Sequence, residues 1–305
     1  TFAAALWAQA SFAVGGGVAL IPGVRVESIH IQSQRTISNY AAATDPEGSS
    51  TTNEALPSLG FTWDTSESQQ FYGGVHRGFS PPSYSQAISS SGVDNELDSE
   101  LSWNFEVGSR STVNSDTYVD VALFHIDYEN IIAQGVAGGP QINGGKAVSS
   151  GAEVLGETNL LGNRHDGMRL PLRLAASYVV AEYESDVYSG ATLVAADGNA
   201  IEFVPELSVS LSIGVDGFGP REGFAVALTT TYVDEQFSDG LNTVAVSADA
   251  STGLIEDRLL FDLSVTYQPR GSTYEIYLIL ENLFDEEYVA YRRGGQGTVS
   301  GAPLK

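Results

Sequence analysis

Basic side chains are scarce in this chain: 14 Lys and Arg stand against 38 Asp and Glu, a formal net charge of −24 at pH 7. Against that acidic background Arg35, His76, Arg77, Lys146, Arg292 and Arg293 fall at or beside the longer polar connections. A planar guanidinium grips a carboxylate or phosphate through parallel N–H donors, so such cations gathered at one mouth would suit an anionic chelate. The competing reading for Arg292 and Arg293 is local charge pairing with Asp285, Glu286 and Glu287. The acidic residues themselves gather in the long connections, as in Asp94, Glu96 and Asp98 or Asp234, Glu235 and Asp239. They read as solvated surface, with oxygen-ligand binding of a divalent cation as the sharper alternative; no EF-hand spacing supports it.

Chemistry of other kinds finds no residues to carry it. The four histidines, His30, His76, His125 and His165, lie on separate stretches without an i, i+4 pair. The nucleophile elbow, the P-loop and the dinucleotide fingerprint are all missing. With no Cys, disulfides and thiolate metal sites are excluded. The expectation is therefore no enzyme: no catalytic residue, no metal-ligand set and no cofactor. Nucleic acid is excluded as a partner, because a polyanion is repelled by a field of this sign.

The elements that would hold these residues are strands. Leu259, Phe261, Leu263, Val265 and Tyr267 alternate with Leu260, Asp262, Ser264, Thr266 and Gln268, and Leu207 to Val215 alternates in the same way with serines and Gly214. Leu101, Trp103, Phe105 and Val107 repeat the pattern, as do Phe224, Val226, Leu228, Thr230 and Tyr232. Period-2 alternation puts one residue set on each face of a strand. About twelve such stretches are expected, near 3–14, 23–36, 55–64, 69–79, 98–111, 117–129, 145–158, 169–184, 202–216, 222–234, 256–268 and 272–284. Most reach the roughly 9–11 residues that a tilted strand needs to cross a bilayer.

Short turns, at Asp64 to Ser68, Thr112 to Asp116, Asp216 to Arg221 and Gln268 to Ser272, alternate with longer loops near 37–54, 80–97, 130–144, 185–201, 235–255 and 285–305. Such alternation places all turns of one kind at one end, the sidedness of an outer-membrane barrel. Aromatic residues near strand ends fit interfacial girdles: Tyr118, Tyr267 and Tyr274 beside short turns, and Tyr128, Tyr183, Tyr232, Phe284 and Tyr288 beside long loops. The fold class expected is all-β, an antiparallel up-and-down transmembrane β-barrel segment. A kelch-like propeller shares the roughly 50-residue recurrence, but each blade would need four short strands in that length. A soluble secreted carbohydrate-binding β-protein and a passive porin or adhesin barrel are the alternatives. No apolar run approaches the roughly 18 residues of a membrane helix. The chain opens at Thr1 inside an alternating apolar stretch, without a basic leader, and reads as a segment of something longer.

Four segments carry a family resemblance. They are Ile21-Pro-Gly-Val-Arg25, Gly74-Val-His-Arg-Gly-Phe-Ser-Pro-Pro82, Glu96-Leu-Asp-Ser-Glu-Leu-Ser-Trp-Asn-Phe-Glu-Val-Gly108, and Glu281-Asn-Leu-Phe-Asp-Glu-Glu-Tyr288 followed by Arg292-Arg293 and a Gly-rich loop to Gly301-Ala-Pro303. In this order they resemble the barrel of TonB-dependent outer-membrane receptors, most closely the ferric dicitrate type. The resemblance implies a barrel of about 22 strands around an N-terminal plug, importing iron chelates with TonB-derived energy. Residues 1–305 would supply about 12 of those strands, with the plug, the early strands and the last strand outside them. It further implies a ferric chelate, outer-membrane lipid and lipopolysaccharide, and TonB as partners, the last through a region N-terminal to this one. His76, Arg77, Lys146, Arg292 and Arg293 are the candidate ligand contacts, and the loop 285–305 would be extracellular.

Overall fold

The computed structural model describes residues 1–34, 47–83, 87–88, 97–133, 142–143, 145–162, 167–189, 191–218, 223–269, 271–293 and 297–300. Its strands are β1 (Phe2–Gln9), β2 (Phe12–Gly15), β3 (Val18–Gln34), β4 (Glu47–Ser66), β5 (Gln69–Ser80), β6 (Glu100–Asn114), β7 (Thr117–Glu129), β8 (Ile132–Ala133), β9 (Ile142–Asn143), β10 (Lys146–Asn159), β11 (Pro171–Tyr183), β12 (Val187–Ser189), β13 (Thr192–Ala195), β14 (Leu207–Phe218), β15 (Phe224–Val233), β16 (Arg258–Tyr267), β17 (Ile276–Leu280), β18 (Val289–Arg293) and β19 (Gly297–Ser300). A 13-stranded antiparallel sheet runs β1-β3-β4-β5-β6-β7-β10-β11-β14-β15-β16-β17, with β2 also on β3. Three hairpins, β8–β9, β12–β13 and β18–β19, stand apart from it. Removing them leaves a meander in which each long strand pairs with its chain neighbours, a strand order consistent with a barrel-like arrangement.

All twelve expected stretches fall on this sheet, with local corrections. The first is interrupted between β1 and β2, where the Ala10 amide donates to the Pro22 carbonyl at 3.1 Å. The expected loop near 37–54 gives way at Glu47, from which β4 pairs with β3 down to its turn. Gly48 to Asn53 is polar on both faces, so no alternation marked it as strand. The last stretch shortens to five residues in β17. Asn282 and Asp285 adopt positive φ just beyond it, which breaks the extended run. Arg35 lies outside the described residues.

Register assigns the faces, because directly paired residues point the same way. One continuous row is Leu20, Phe61, Gly73, Val107, Leu123, Ala152, Tyr178 and Leu207. The neighbouring row on the other face is Thr62, Tyr72, Gly108, Ala122, Glu153, Ser177 and Ser208. Among the described residues no layer covers the apolar face: Val107 is 50% exposed and Leu123 54%. Buried clusters are confined to the long-loop end, around Ala147, Tyr183, Val187 and Ala195 and around Ile31, Ala87 and Ile88. Among the described residues no helix is long and apolar enough to cross a membrane.

Aromatic residues on the apolar face collect toward its two ends. Near the short turns Trp63 lies 5.7 Å from Phe71, and Phe224 lies 5.8 Å from Phe218 and 4.3 Å from Tyr267. Toward the long loops the same face carries Trp103 and Tyr232. Tyr118, Tyr128 and Tyr183 belong instead to the polar face, since they pair with Thr112, Ser102 and Ala147. Strand parity, and not closeness to a turn, decides which aromatic meets which surroundings.

Candidate functional site

The long-loop end is built as a block. Asn242 spans two connections, accepting from the Ala200 amide and donating to the Ala200 carbonyl, both at 2.8 Å. Asn199 donates to the Gly240 carbonyl at 3.0 Å, and the Phe203 amide donates to the Phe237 carbonyl at 2.8 Å. Buried Ser238 donates to the Gly253 carbonyl at 2.8 Å and accepts from the Gly253 amide at 2.9 Å, closing the second connection on itself. The β18–β19 hairpin joins through Tyr291, stacked on Phe203 at 4.6 Å. These bonds order the backbone before any ligand arrives, which lowers the entropic cost of binding.

A tight turn at its edge is held by charge. Asp249 accepts from the hydroxyls of Ser247 at 2.7 Å and Ser251 at 2.8 Å and from the Ser251 amide at 3.2 Å. These bonds lower its pKa to about 2. A depressed carboxyl pKa stabilises the folded turn above the unfolded value near 4, and that contribution disappears as pH falls through about 2. A carboxyl-carbon NMR titration is expected to show Asp249 ionised at pH 3.

The five candidate contacts separate. Arg77 sits on the apolar face's rim, directly opposite Trp103. It donates to Glu129 Oε2 at 2.6 Å, and its guanidinium carbon lies 5.2 Å from the Trp103 ring. Lys146 pairs in register with Glu129 on that same face. His76 points the other way, in a row with Ser58 and Asn104. Arg292 is buried at 8% exposure and donates to the Leu254 carbonyl at 3.3 Å and the Ala250 carbonyl at 3.5 Å. Arg293 lies in β18, opposite Gly297. The structure thus brings Arg77 and Lys146 together around Glu129, sets His76 on the opposite face, and uses Arg292 to tie a hairpin to a loop.

Sequence reasoning passed over a cation on the polar face. Arg258 opens β16 opposite Val233, and its guanidinium lies 5.3 Å from the Tyr288 ring. One of its terminal nitrogens is closed off from solvent with no hydrogen-bond partner among the described residues. Its signal was available: Arg258 shares the parity of Asp262, Ser264 and Thr266. Also at the long-loop end, Tyr183 donates to Glu202 at 2.7 Å.

Deeper on the polar face Asp120 organises a second cluster. It accepts from Tyr72 at 2.9 Å, Arg110 at 3.0 Å and Tyr118 at 3.2 Å. Arg110 also stacks on Tyr72, 4.1 Å from the ring centroid. The phenol end of Tyr72 lies against Gly108, where a Cβ would stand 2.4 Å from its ring carbon Cζ. With Glu106, Glu153 and Ser177, the residues Tyr72, Arg110 and Asp120 line a concavity of about 580 Å³. Asp120→Ala strands one guanidinium and two phenols, and is expected to cost about 1–3 kcal/mol in a denaturant titration. Among the described residues no three His, Asp or Glu side chains converge as a metal site.

The family model described as TonB dependent receptor-like, beta-barrel matches residues 1–283. Among solved structures, the ferric citrate transporter FecA in its unliganded form is similar at 26% identity and TM-score 0.74, over 99% of this chain and 43% of that one. The siderophore receptor PiuA from Acinetobacter baumannii is similar at 14% identity and TM-score 0.76, over 99% and 42%. The copper transporter OprC matches at 13% identity and TM-score 0.73, over 98% and 46%. The last two likenesses show the fold alone. This chain spans under half the length of each.

Proposed function

The chain belongs to the family of TonB-dependent receptor-like β-barrels, and from that premise we propose that it forms part of the wall of an active-transport receptor that binds and imports a ferric chelate, citrate-like or a siderophore, with TonB-derived energy. The family resides in the bacterial outer membrane and transports without making or breaking covalent bonds. The observation that carries the reading is the uncovered apolar face opposed to a polar one across the whole meander. In water such a surface would far exceed the few hundred Å² of apolar patch that soluble monomers tolerate. Against hydrocarbon it is the stable arrangement, and strands of 10 residues in β15 to 20 in β4 are long enough to cross. The aromatic groups at both ends of that face then meet the headgroup levels.

In this reading the polar face lines the lumen and the loop block forms part of the extracellular mouth. The open edges β1 and β17, where Leu6 is 78% and Tyr277 73% exposed, pair with further strands of the same barrel, and a plug lies N-terminal to them. Chelate contacts come from the mouth's inner side, from His76 and Arg258, whose N–H donors face an anionic ligand. Arg77 and Lys146 shape the outer rim and Arg292 holds the loops.

The test is uptake of radiolabelled ferric dicitrate by cells whose sole iron receptor is the full-length protein. Uptake is expected to stop when the inner-membrane proton gradient is collapsed. Uptake that persists without energy would identify a passive pore, and none at all would remove citrate as the ligand.

A further inference from the structure

Arg258 stands alone among the described guanidiniums in reaching no acceptor. Arg25, Arg77, Arg110, Arg169 and Arg173 each reach a carboxylate, and Arg292 reaches two carbonyls. With 38 acidic residues against 14 basic ones in the chain, a guanidinium left without a carboxylate is one whose anion comes from elsewhere. What Arg258 does have is a ring: its guanidinium carbon lies 5.3 Å from the Tyr288 centroid, within the range of a cation–π contact.

Tyr288 is brought there by the turn that the segment Glu281 to Tyr288 encodes. Asn282, buried and at φ 52°, accepts from the Glu286 amide at 2.9 Å and donates to the Glu286 carbonyl at 3.0 Å. Its own amide donates to Asp262 Oδ1 at 2.8 Å, and the Leu283 amide donates to the Phe261 carbonyl at 2.7 Å. Phe284 meets Phe261 edge-on at 5.0 Å. Residues 282–286 are thereby fixed to β16 at Phe261 and Asp262, and Asp262 shares the polar face with Arg258. Two residues further on, the chain delivers the Tyr288 ring to the guanidinium. With that ring against it and one terminal nitrogen closed off from solvent, the guanidinium meets a ligand edge-on. An edge presents parallel N–H donors, which a planar carboxylate matches with both oxygens.

We propose that Tyr288 is a positioning residue for Arg258, holding the plane of the guanidinium so that its donor edge grips a free carboxylate of the chelate, and that the pair selects carboxylate-bearing chelates. The inference rests on the chelate-transport reading above. Its test is a double-mutant cycle, read as the dissociation constant of ferric dicitrate on the purified full-length receptor in detergent. Tyr288→Leu is expected to weaken binding about two- to fivefold, the range of a partly exposed cation–π contact. Tyr288→Phe, which keeps the ring, recovers most of that loss. Arg258→Gln is expected to weaken binding about tenfold or more. In the Arg258→Gln receptor, Tyr288→Leu then adds nothing, because the ring has no guanidinium left to hold. A tyrosine that only packs the turn would weaken both backgrounds alike, and that result overturns the proposal. So does full affinity in Arg258→Lys, which keeps the charge without the fork and leaves Tyr288 in place. A folded wild-type receptor that binds no ferric dicitrate would overturn the citrate reading itself, and this inference with it.

Discussion

Replacing Leu123 by arginine is expected to destabilise the membrane-folded protein by about 2–4 kcal/mol, the cost of a cation on the lipid face near the midplane. Leu123 lies centrally in the apolar row between Val107 and Ala152, and at 54% exposure its side chain has no covering layer among the described residues to shelter a charge. The matched control is Ser177→Arg, on the polar face opposite Glu153. There the guanidinium meets water and a carboxylate, and the change is expected to stay within about 1 kcal/mol. Folding equilibria measured in lipid vesicles separate the two. Equal costs at both positions would mean that the faces do not differ in surroundings.

The second large effect concerns the loop block. Arg292 is the buried cation that connects the β18–β19 hairpin to the carbonyls of Ala250 and Leu254. Arg292→Ala removes two charge-assisted donors and leaves space in a closed site, so a local loss of about 2–3 kcal/mol is expected. Hydrogen exchange should accelerate at residues 250–255 and leave β10 and β11 unchanged, because those strands hold each other through their own ladder. Chelate affinity is expected to fall with it, since binding must then pay for ordering the loops. Arg292→Lys restores the charge but not the forked geometry, and should recover only part of the protection.

The meander was largely legible because alternation is a local signal: Leu101 to Val107 and Leu259 to Tyr267 announce their faces without reference to any partner. The same signal held more than was taken from it. Arg77 stands two residues beyond Val75 and four beyond Gly73, so parity alone assigns it to the apolar side and assigns His76 to the other. Tyr118, Tyr128 and Tyr183 could have been sorted in the same way. The upper part of β4 was not legible, because Gly48 to Asn53 is pinned by pairing with β3 and not by any difference between its faces. Neither was the burial of Arg292, which depends on carbonyls about forty residues away. The hairpins of two to five residues are too short to show a period at all.

The account stands on the apolar face being in lipid and the polar face in water. The chain contains no Cys, so single cysteines introduced from 119 to 126 in the full-length receptor can be labelled with a fluorophore one at a time. Quenching by a lipid-borne quencher is predicted to be strong at Val119, Val121, Leu123 and His125 and weak at Asp120, Ala122, Phe124 and Ile126, with a water-soluble quencher giving the reverse order. Labels quenched equally by the aqueous agent at every position would contradict it.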